Sequence, residues 1–495
     1  MTHLLALDQG TTSSRALLFD REGNPVAIAQ REFAQHYPQP GWVEHNPNDI
    51  WDTQFQTAIE AIKTAGITAG DVAAIGITNQ RETCLLWDRQ TGTACGPAIV
   101  WQDRRTSAMC DSLLEQGYED FVQTRSGLLL DPYFSASKLR WMLDQDPDLR
   151  RRAEAGELAF GTIDSWLVWK LSEGRAHITD ATNASRTGLC NLQTSSWDTE
   201  LLELWGVPQA VLPVIVDSSG ICTTTTLLGP EIPIAGIAGD QQAALFGQAC
   251  YEPGMAKCTY GTGCFLLMQT GTTAVRSNHR LLTTIAARVG GITEYALEGS
   301  VFMGGATIQW LRDGLKILSS AGDVEALAAD VKDSDGVVLV PAFTGLGAPY
   351  WDATASALLI GMTRGTTPSH IARAALDAIA WQVFDVAEAM CRDADLQLSE
   401  LRVDGGASEN ALLMQLQANV LNASLVRPVV AESTAYGAAL LAGLGIGLFE
   451  NRQALAQQWR ARDRFQPEAV AEDIAANHER WRRAVARSRD WYRPT

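Results

Sequence analysis

The sequence predicts an α/β protein built as two similar halves with a ligand cleft between them. Three observations carry this reading. Strand and helix signals alternate along the 495 residues. A glycine hairpin rich in hydroxyls occurs twice, at 10–13 and 261–263. A unit of strand, glycine turn, polar residue and helix also occurs twice, at 236–247 and 403–417. This is an echo at domain scale, not a short-period repeat. The length calls for two or three domains, and the pattern restarts after Ala249, so the expected domains are 1–249 and 250–495.

The chain opens on apolar runs at 4–7 and 16–19 that flank Gly10, Thr11, Thr12 and Ser13, a hairpin signal. The row of hydroxyls and N–H groups at this turn suits an anion site as well as an ordinary polar hairpin. Asp8, at the end of the first strand, is placed to hold a hydrated Mg²⁺ beside bound phosphates. An amphipathic helix is predicted at 47–64 and a buried strand at 72–78, ending in Asn79-Gln80-Arg81-Glu82. That end reads either as solvated loop or as a fixed Arg–Glu pair offering donors and acceptors to a polyhydroxy ligand. The run 99–105 repeats the pattern with Trp101 at a strand end, as a parallel or mixed sheet would have it. A helix begins after Pro132 with Tyr133 near its first turn, while 182–187 reads as polar loop and 218–231 as weak edge or loop.

The stretch 234–248, IAGIAGDQQAALFGQ, is a short strand, a turn at Gly239 and a helix start that presents Asp240 and Gln241. A helix N-terminus carries free N–H groups and partial positive charge, so an anion can sit there. Asp240 could then face a phosphoryl group and a hydroxyl together; it also reads as a plain N-cap. After Ala249 come a second hairpin with Tyr260, Gly261, Thr262 and Gly263 at its turn, and a strand and helix joined by small residues at 296–313. A strand with a Gly/Pro loop follows at 337–352, then strand, Gly-Gly turn and helix at 401–421. The greasiest stretch, 435–449, is too short and Gly-rich for a membrane span and reads as a buried helix with its C-cap.

A net charge of −18 argues against nucleic acid or an anionic membrane as partner. Nine scattered cysteines without a Cys-x-x-Cys point to reduced thiols and a cytoplasmic setting. No signal peptide is visible at the start.

Two common nucleotide signatures, the Gly-x-x-x-x-Gly-Lys loop and the protein-kinase set, are missing. The motifs present are ALDQGTTSSRA (6–16), GITNQRET (76–83), IVWQDRR (99–105), DPYFSASKLRW (131–141) and TNASRT (182–187). They continue with GIAGDQQAALFGQ (236–248), YGTGCFLLM (260–268), ALEGSVFMGGATIQWLRD (296–313), PAFTGLGAPYWD (341–352) and LRVDGGASEN (401–410). In this order they resemble the FGGY family of carbohydrate kinases, and within it the members that act on glycerol. The resemblance runs from Leu5 to about Arg464. It implies two actin-like (ribonuclease H-like) α/β domains with an ATP and substrate cleft between them. It also implies transfer of the γ-phosphoryl group of ATP, with Mg²⁺, to a terminal hydroxyl of glycerol, and a homo-oligomer, dimer or tetramer.

Carried over by position, Asp240 would be the general base and Gln241 would orient the attacking hydroxyl. Arg81, Glu82 and Tyr133 would bind the other hydroxyls, and Trp101 and Phe265 would cover the carbon face, unless these two are plain core aromatics. Thr11, Thr12, Ser13 and Arg15 would hold phosphates from one side and Thr262 from the other, with Asp8 acting through Mg²⁺. Gly305, Gln309, Gly406 and Asn410 would frame the adenosine. A non-catalytic actin-like switch is the rival reading, and a three-carbon polyol pocket would be of no use to it.

Two controls known in relatives lose their residues here. Enteric members bind fructose 1,6-bisphosphate through a Gly-x-Arg loop, and the matching triplet is Gly229-Pro230-Glu231. Some Gram-positive members are phosphorylated on a histidine, but no histidine lies between His177 and His279. Glu231 would repel a phosphate that Arg would fork. Rates measured with and without fructose 1,6-bisphosphate are therefore expected to agree; inhibition abolished by altering the 218–232 loop would contradict this.

Overall fold

The computed structural model describes residues 3–491; the outer ends of the two expected domains, 1–2 and 492–495, lie outside them. A single sheet of 13 strands runs through both halves of the chain. In the first half the strands lie in the order Pro25–Glu32, Ser13–Phe19, His3–Gln9, Val72–Asn79 and Ile232–Gly239. The first two pairings are antiparallel and the next two parallel. The second half repeats that order with Ile292–Val301, Cys264–Gly271, Ala256–Tyr260, Glu400–Asp404 and Ser424–Pro428, again two antiparallel pairings and then two parallel. The echo read in the sequence is thus an echo of topology, two ribonuclease H-like units in one sheet.

The strands form where expected because their apolar runs are buried on both faces: Leu4 to Leu7, Ile75 and Ile77, and Ile234 and Ile237 are all buried. Pro47–Thr64 is the predicted helix, capped by Asn46, whose side chain accepts from Asn48 N, with Pro47 at its start.

Three stretches depart from expectation. The stretch 218–231, read as weak edge or loop, contains the strand Ser219–Thr225, which lies inside the sheet: it is antiparallel to Ile232–Gly239, and Ser219 pairs with Val289 to join the two halves. Its run of threonines and lack of apolar alternation hid it. The polar 182–187 stretch is buried, and its first residues belong to the short helix Ala181–Ala184. Asp180 caps that turn, accepting from Thr182 N and Asn183 N, so its polarity points inward. Trp101 follows a two-residue strand, Ala98–Ile99, in a separate antiparallel sheet of four strands, not in the main one. In the 224–231 segment Glu231 accepts from Thr224 Oγ1 at 2.9 Å, and Arg175 donates to Thr224 O.

The fifth strand of each unit leads into a helix: Asp240–Gly247 in the first, Ser433–Gly445 in the second. The two helices pack through glycine. A Cβ on Gly437 would lie 1.8 Å from Ala243 O, and one on Gly247 2.2 Å from Ser433 O. Ser433–Gly445 also lies on the first unit's strands, where a Cβ on Gly76 would come within 2.1 Å of Ala438 O. None of these three backbone carbonyls can step aside as a side chain would. Gly437→Ala is expected to lower stability by about 3 kcal/mol, read as a lower urea midpoint; an unchanged midpoint would show that the helices separate freely.

Candidate active site

Asp240 is the first residue of its helix, and Gly239, not Asp240, holds the cap position. The glycine is required because the stem of Arg81 passes there: a Cβ would meet Arg81 Cγ and Cδ at 2.7 Å. Arg81 Nε reaches Asp240 Oδ1 at 3.0 Å, and 32% of the Asp240 side-chain surface stays open to the cleft. Burial pushes its carboxyl up to about 6, against the pull of Arg81 and with the push of Glu82.

Arg81 and Glu82 are buried, not solvated, and they do not form the fixed pair read from the sequence. Arg81 instead donates from Nη1 and Nη2 to Glu298 at 2.6 and 2.8 Å, and from Nη1 to Gln242 Oε1. Glu82 receives Arg186 Nε at 2.7 Å, and Arg186 Nη2 reaches Glu298 at 3.3 Å. Glu82 sits at φ 62°, a left-handed conformation that costs a non-glycine residue about 1–3 kcal/mol unless its surroundings hold it. Ser135 Oγ does so by donating to Glu82 O. Burial alone would raise the Glu298 carboxyl, but Arg186 and Arg81 outweigh it and hold it at about 2.

Tyr133 lies in the turn before the helix Ser135–Asp144 and meets Trp101 edge to face, ring centroids 5.5 Å apart. Trp101 Nε1 donates to Thr11 Oγ1 at 3.0 Å, so the aromatic wall touches the first hairpin. Phe265 is half-buried on Cys264–Gly271. It stands opposite Ser300, while Leu267 stands opposite Glu298, so Phe265 shares the face that carries Glu298. Lys257, opposite Leu267 on the next strand, extends that row and donates to Gln241 Oε1 and to Thr259 Oγ1. Burial lowers the pKa of Lys257.

The hairpins close as expected, Gly10 N on Ser13 O and Gly261 N on Gly263 O, both at 2.9 Å. Thr12 and Thr262 are exposed at the two tips, and Ser13 Oγ accepts from Gln30. Arg15 is committed: it pairs with Asp8 and, at 2.6 Å, with Glu432. Asp8 is itself nearly covered. Thr262, Gly305, Gln309, Gly406 and Asn410 line one groove of about 470 Å³. Gly305 is small because a Cβ would meet Gly261 O at 2.8 Å; a Cβ on Gly406 would meet nothing within 4 Å. Asn410 doubles as cap of the helix Ala411–Leu421, accepting from Leu413 N.

The structure therefore gathers Asp240, Arg81, Glu82, Trp101 and Tyr133 at one place and the five groove residues at another. Sequence reasoning missed Arg186, Glu298, Lys257 and Gln242. Arg186 and Glu298 stood inside the motifs TNASRT and ALEGS, and a lone charge amid buried polar or apolar residues was the available signal.

A cleft between two such units, with a carboxylate at a helix start, defines the class of actin-like phosphotransferases. Residues 3–247 match the N-terminal domain of the FGGY family of carbohydrate kinases and residues 256–446 its C-terminal domain. The chain is 62% identical over 493 residues to the glycerol kinase of Aromatoleum aromaticum, covering 99% of each. It is 58% identical over 491 residues to that of Deinococcus radiodurans, covering 99% of this chain and 98% of the relative. The chain belongs to the FGGY family of carbohydrate kinases. Its fold is that of the Plasmodium falciparum glycerol kinase solved with ADP: TM-score 0.93 and 33% identity, covering 99% of this chain and 98% of that one. Among the described residues no helix is long and apolar enough to cross a membrane.

Proposed function

We propose that this protein phosphorylates glycerol, transferring the γ-phosphoryl group of ATP to a terminal hydroxyl to give sn-glycerol 3-phosphate and ADP. The observation that carries this is Asp240, held 3.0 Å from Arg81 at a helix start beside Glu82, Trp101 and Tyr133. The naming of relatives 62% and 58% identical over nearly the whole chain as glycerol kinases supports the substrate.

Asp240 accepts the proton of the attacking hydroxyl as the new O–P bond forms and the bond to the β-phosphate oxygen breaks. A carboxylate poised near 6 is a better base than an ordinary aspartate and is still ionised at neutral pH. Gln241, fixed by Lys257, orients that hydroxyl. Arg81, Glu82 and Tyr133 take the other hydroxyls, while Trp101 and Phe265 limit the carbon chain to three atoms. Thr11, Thr12 and Ser13 meet the phosphates from the first half and Thr262 from the second. Gly305, Gln309, Gly406 and Asn410 hold the nucleoside in the 470 Å³ groove, the bare Gly406 face admitting it closely. Arg15 contributes by steadying Asp8. Asp8 would be the residue to hold Mg²⁺, since its carboxylate is the hard oxygen donor that ion prefers. Mg²⁺ held there would supply neutralisation of the phosphate oxygens.

ADP release should be fast with glycerol and weak across a panel of longer polyols; no glycerol-dependent release would end this reading. Asp240→Asn keeps the shape but not the basic lone pair, and should lower kcat by about 10²-fold or more while glycerol still binds. The base must be ionised, so kcat/KM should be flat above pH 6 and fall about tenfold per unit below it. An acid limb near pH 4 would mean that Asp240 titrates as an ordinary carboxylate.

A further inference from the structure

Glu298 lies at the centre of a chain of buried charges that crosses between the two units. It belongs to the strand Ile292–Val301, which pairs with Cys264–Gly271 in the second unit's sheet, yet its partners Arg81 and Arg186 come from the first unit. Each arginine turns a further nitrogen toward a proposed acceptor residue: Arg81 Nε to Asp240 at 3.0 Å and Arg186 Nε to Glu82 at 2.7 Å. A guanidinium is a planar, rigid fork, so fixing one edge aims the other. Arg186 also faces the Tyr133 ring, its carbon 5.8 Å from the centroid.

The hairpin that bears Glu298 is tied to the first unit along its length. Tyr295 Oη donates to Leu192 O at 2.8 Å, Thr283 N donates to Gly127 O at 2.9 Å, and Thr284 Oγ1 meets Ser185 Oγ at 2.9 Å. Arg288 pairs with Asp217 at 2.6 Å. Glu298 is therefore anchored against the acceptor side while its strand remains part of the nucleotide side.

We propose that Glu298 is a positioning residue of the acceptor site. It sets the direction of Arg81 and Arg186, and through them Asp240 and Glu82, without touching the substrate. The position requires a carboxylate. Two arginines present only donors to it, and an amide would turn its own NH₂ toward one of them.

This inference rests on the glycerol reading and is tested in the full-length enzyme with Glu298→Gln and Glu298→Asp. Glu298→Gln should raise the KM for glycerol about tenfold or more, as misaimed binding groups do, with the KM for ATP within about twofold. Glu298→Asp keeps the charge and should recover part of that loss. A glycerol KM equal to that of the parent, or one that rises in step with the ATP KM, overturns the inference. If Glu298→Gln does not fold, Glu298→Asp decides: a raised glycerol KM with unchanged ATP KM supports the role, and an unchanged glycerol KM overturns it. A parent enzyme inactive on glycerol overturns the functional reading and this role with it, whereas an active parent with insensitive variants overturns the role of Glu298 alone.

Discussion

The contact between the helices Asp240–Gly247 and Ser433–Gly445 is the constraint on which the cleft depends. Gly437 and Gly247 bring the two backbones so close that no side chain fits between them. Each helix follows its unit's fifth strand, the first directly and the second after residues 429–432, so their packing fixes the distance between corresponding parts of the two units. It places Asp240 at one helix start and, at the other, Ser433, whose hydroxyl bonds Asp404, beside Glu432, which holds Arg15. On the proposed reading the acceptor side and the phosphate side of the cleft thus share one floor. A shift of either helix would move both.

Upon that floor the electrostatics are nearly closed. Asp240, Glu82 and Glu298 carry three negative charges, and Arg81, Arg186 and Lys257 carry three positive ones. Burying single charges would be prohibitive, but a chain in which each charge has a hydrogen-bonded partner is tolerated. Losing one member leaves its neighbours unpaired in a dry place, a cost of about 3–5 kcal/mol. Such a chain is a poor source of stability compared with apolar packing. Its value is geometric, since every link is directional. The raised carboxyl of Asp240 comes from the same arrangement: burial and Glu82 push it up while Arg81 keeps it from rising further.

Much of this was legible in the residues. The hairpins at Gly10 and Gly261, the strand 72–78, the helix at 47–64 and the turn at Asp240 carry strong local signals, with apolar runs, glycine at a bend and Pro47 at a helix start. The features that escaped are those whose polarity faces inward. Thr182, Asn183 and Ser185 look like a loop because their hydroxyls and amides are spent on Asp180, Asn79 and Thr284. The strand Ser219–Thr225 shows few apolar residues because it is short of neighbours where it bridges the two units. Arg81 and Glu82 invite pairing as sequence neighbours, but adjacent side chains at a turn diverge, and each found its partner more than 100 residues away. Long-range ion pairs leave no period in a sequence, so Glu298 could be found only once the strands were set side by side.

The same bookkeeping of partners bears on how a chain of net charge −18 receives a polyanion. Arg15 is held by Asp8 and Glu432, Arg81 and Arg186 by Glu298, and Lys257 by Gln241. The three arginines are thus offset by carboxylates, Lys257 is buried, and the overall field repels phosphate. On the proposed reading, Mg²⁺ bound with the nucleotide would offset part of its charge. The cleft then has to supply directed donors more than charge. The exposed hydroxyls at the hairpin tips, Thr12 and Thr262, are of that kind. They come from both units, so they can converge on one phosphate chain only while the glycine contact between the two helices holds the units in register.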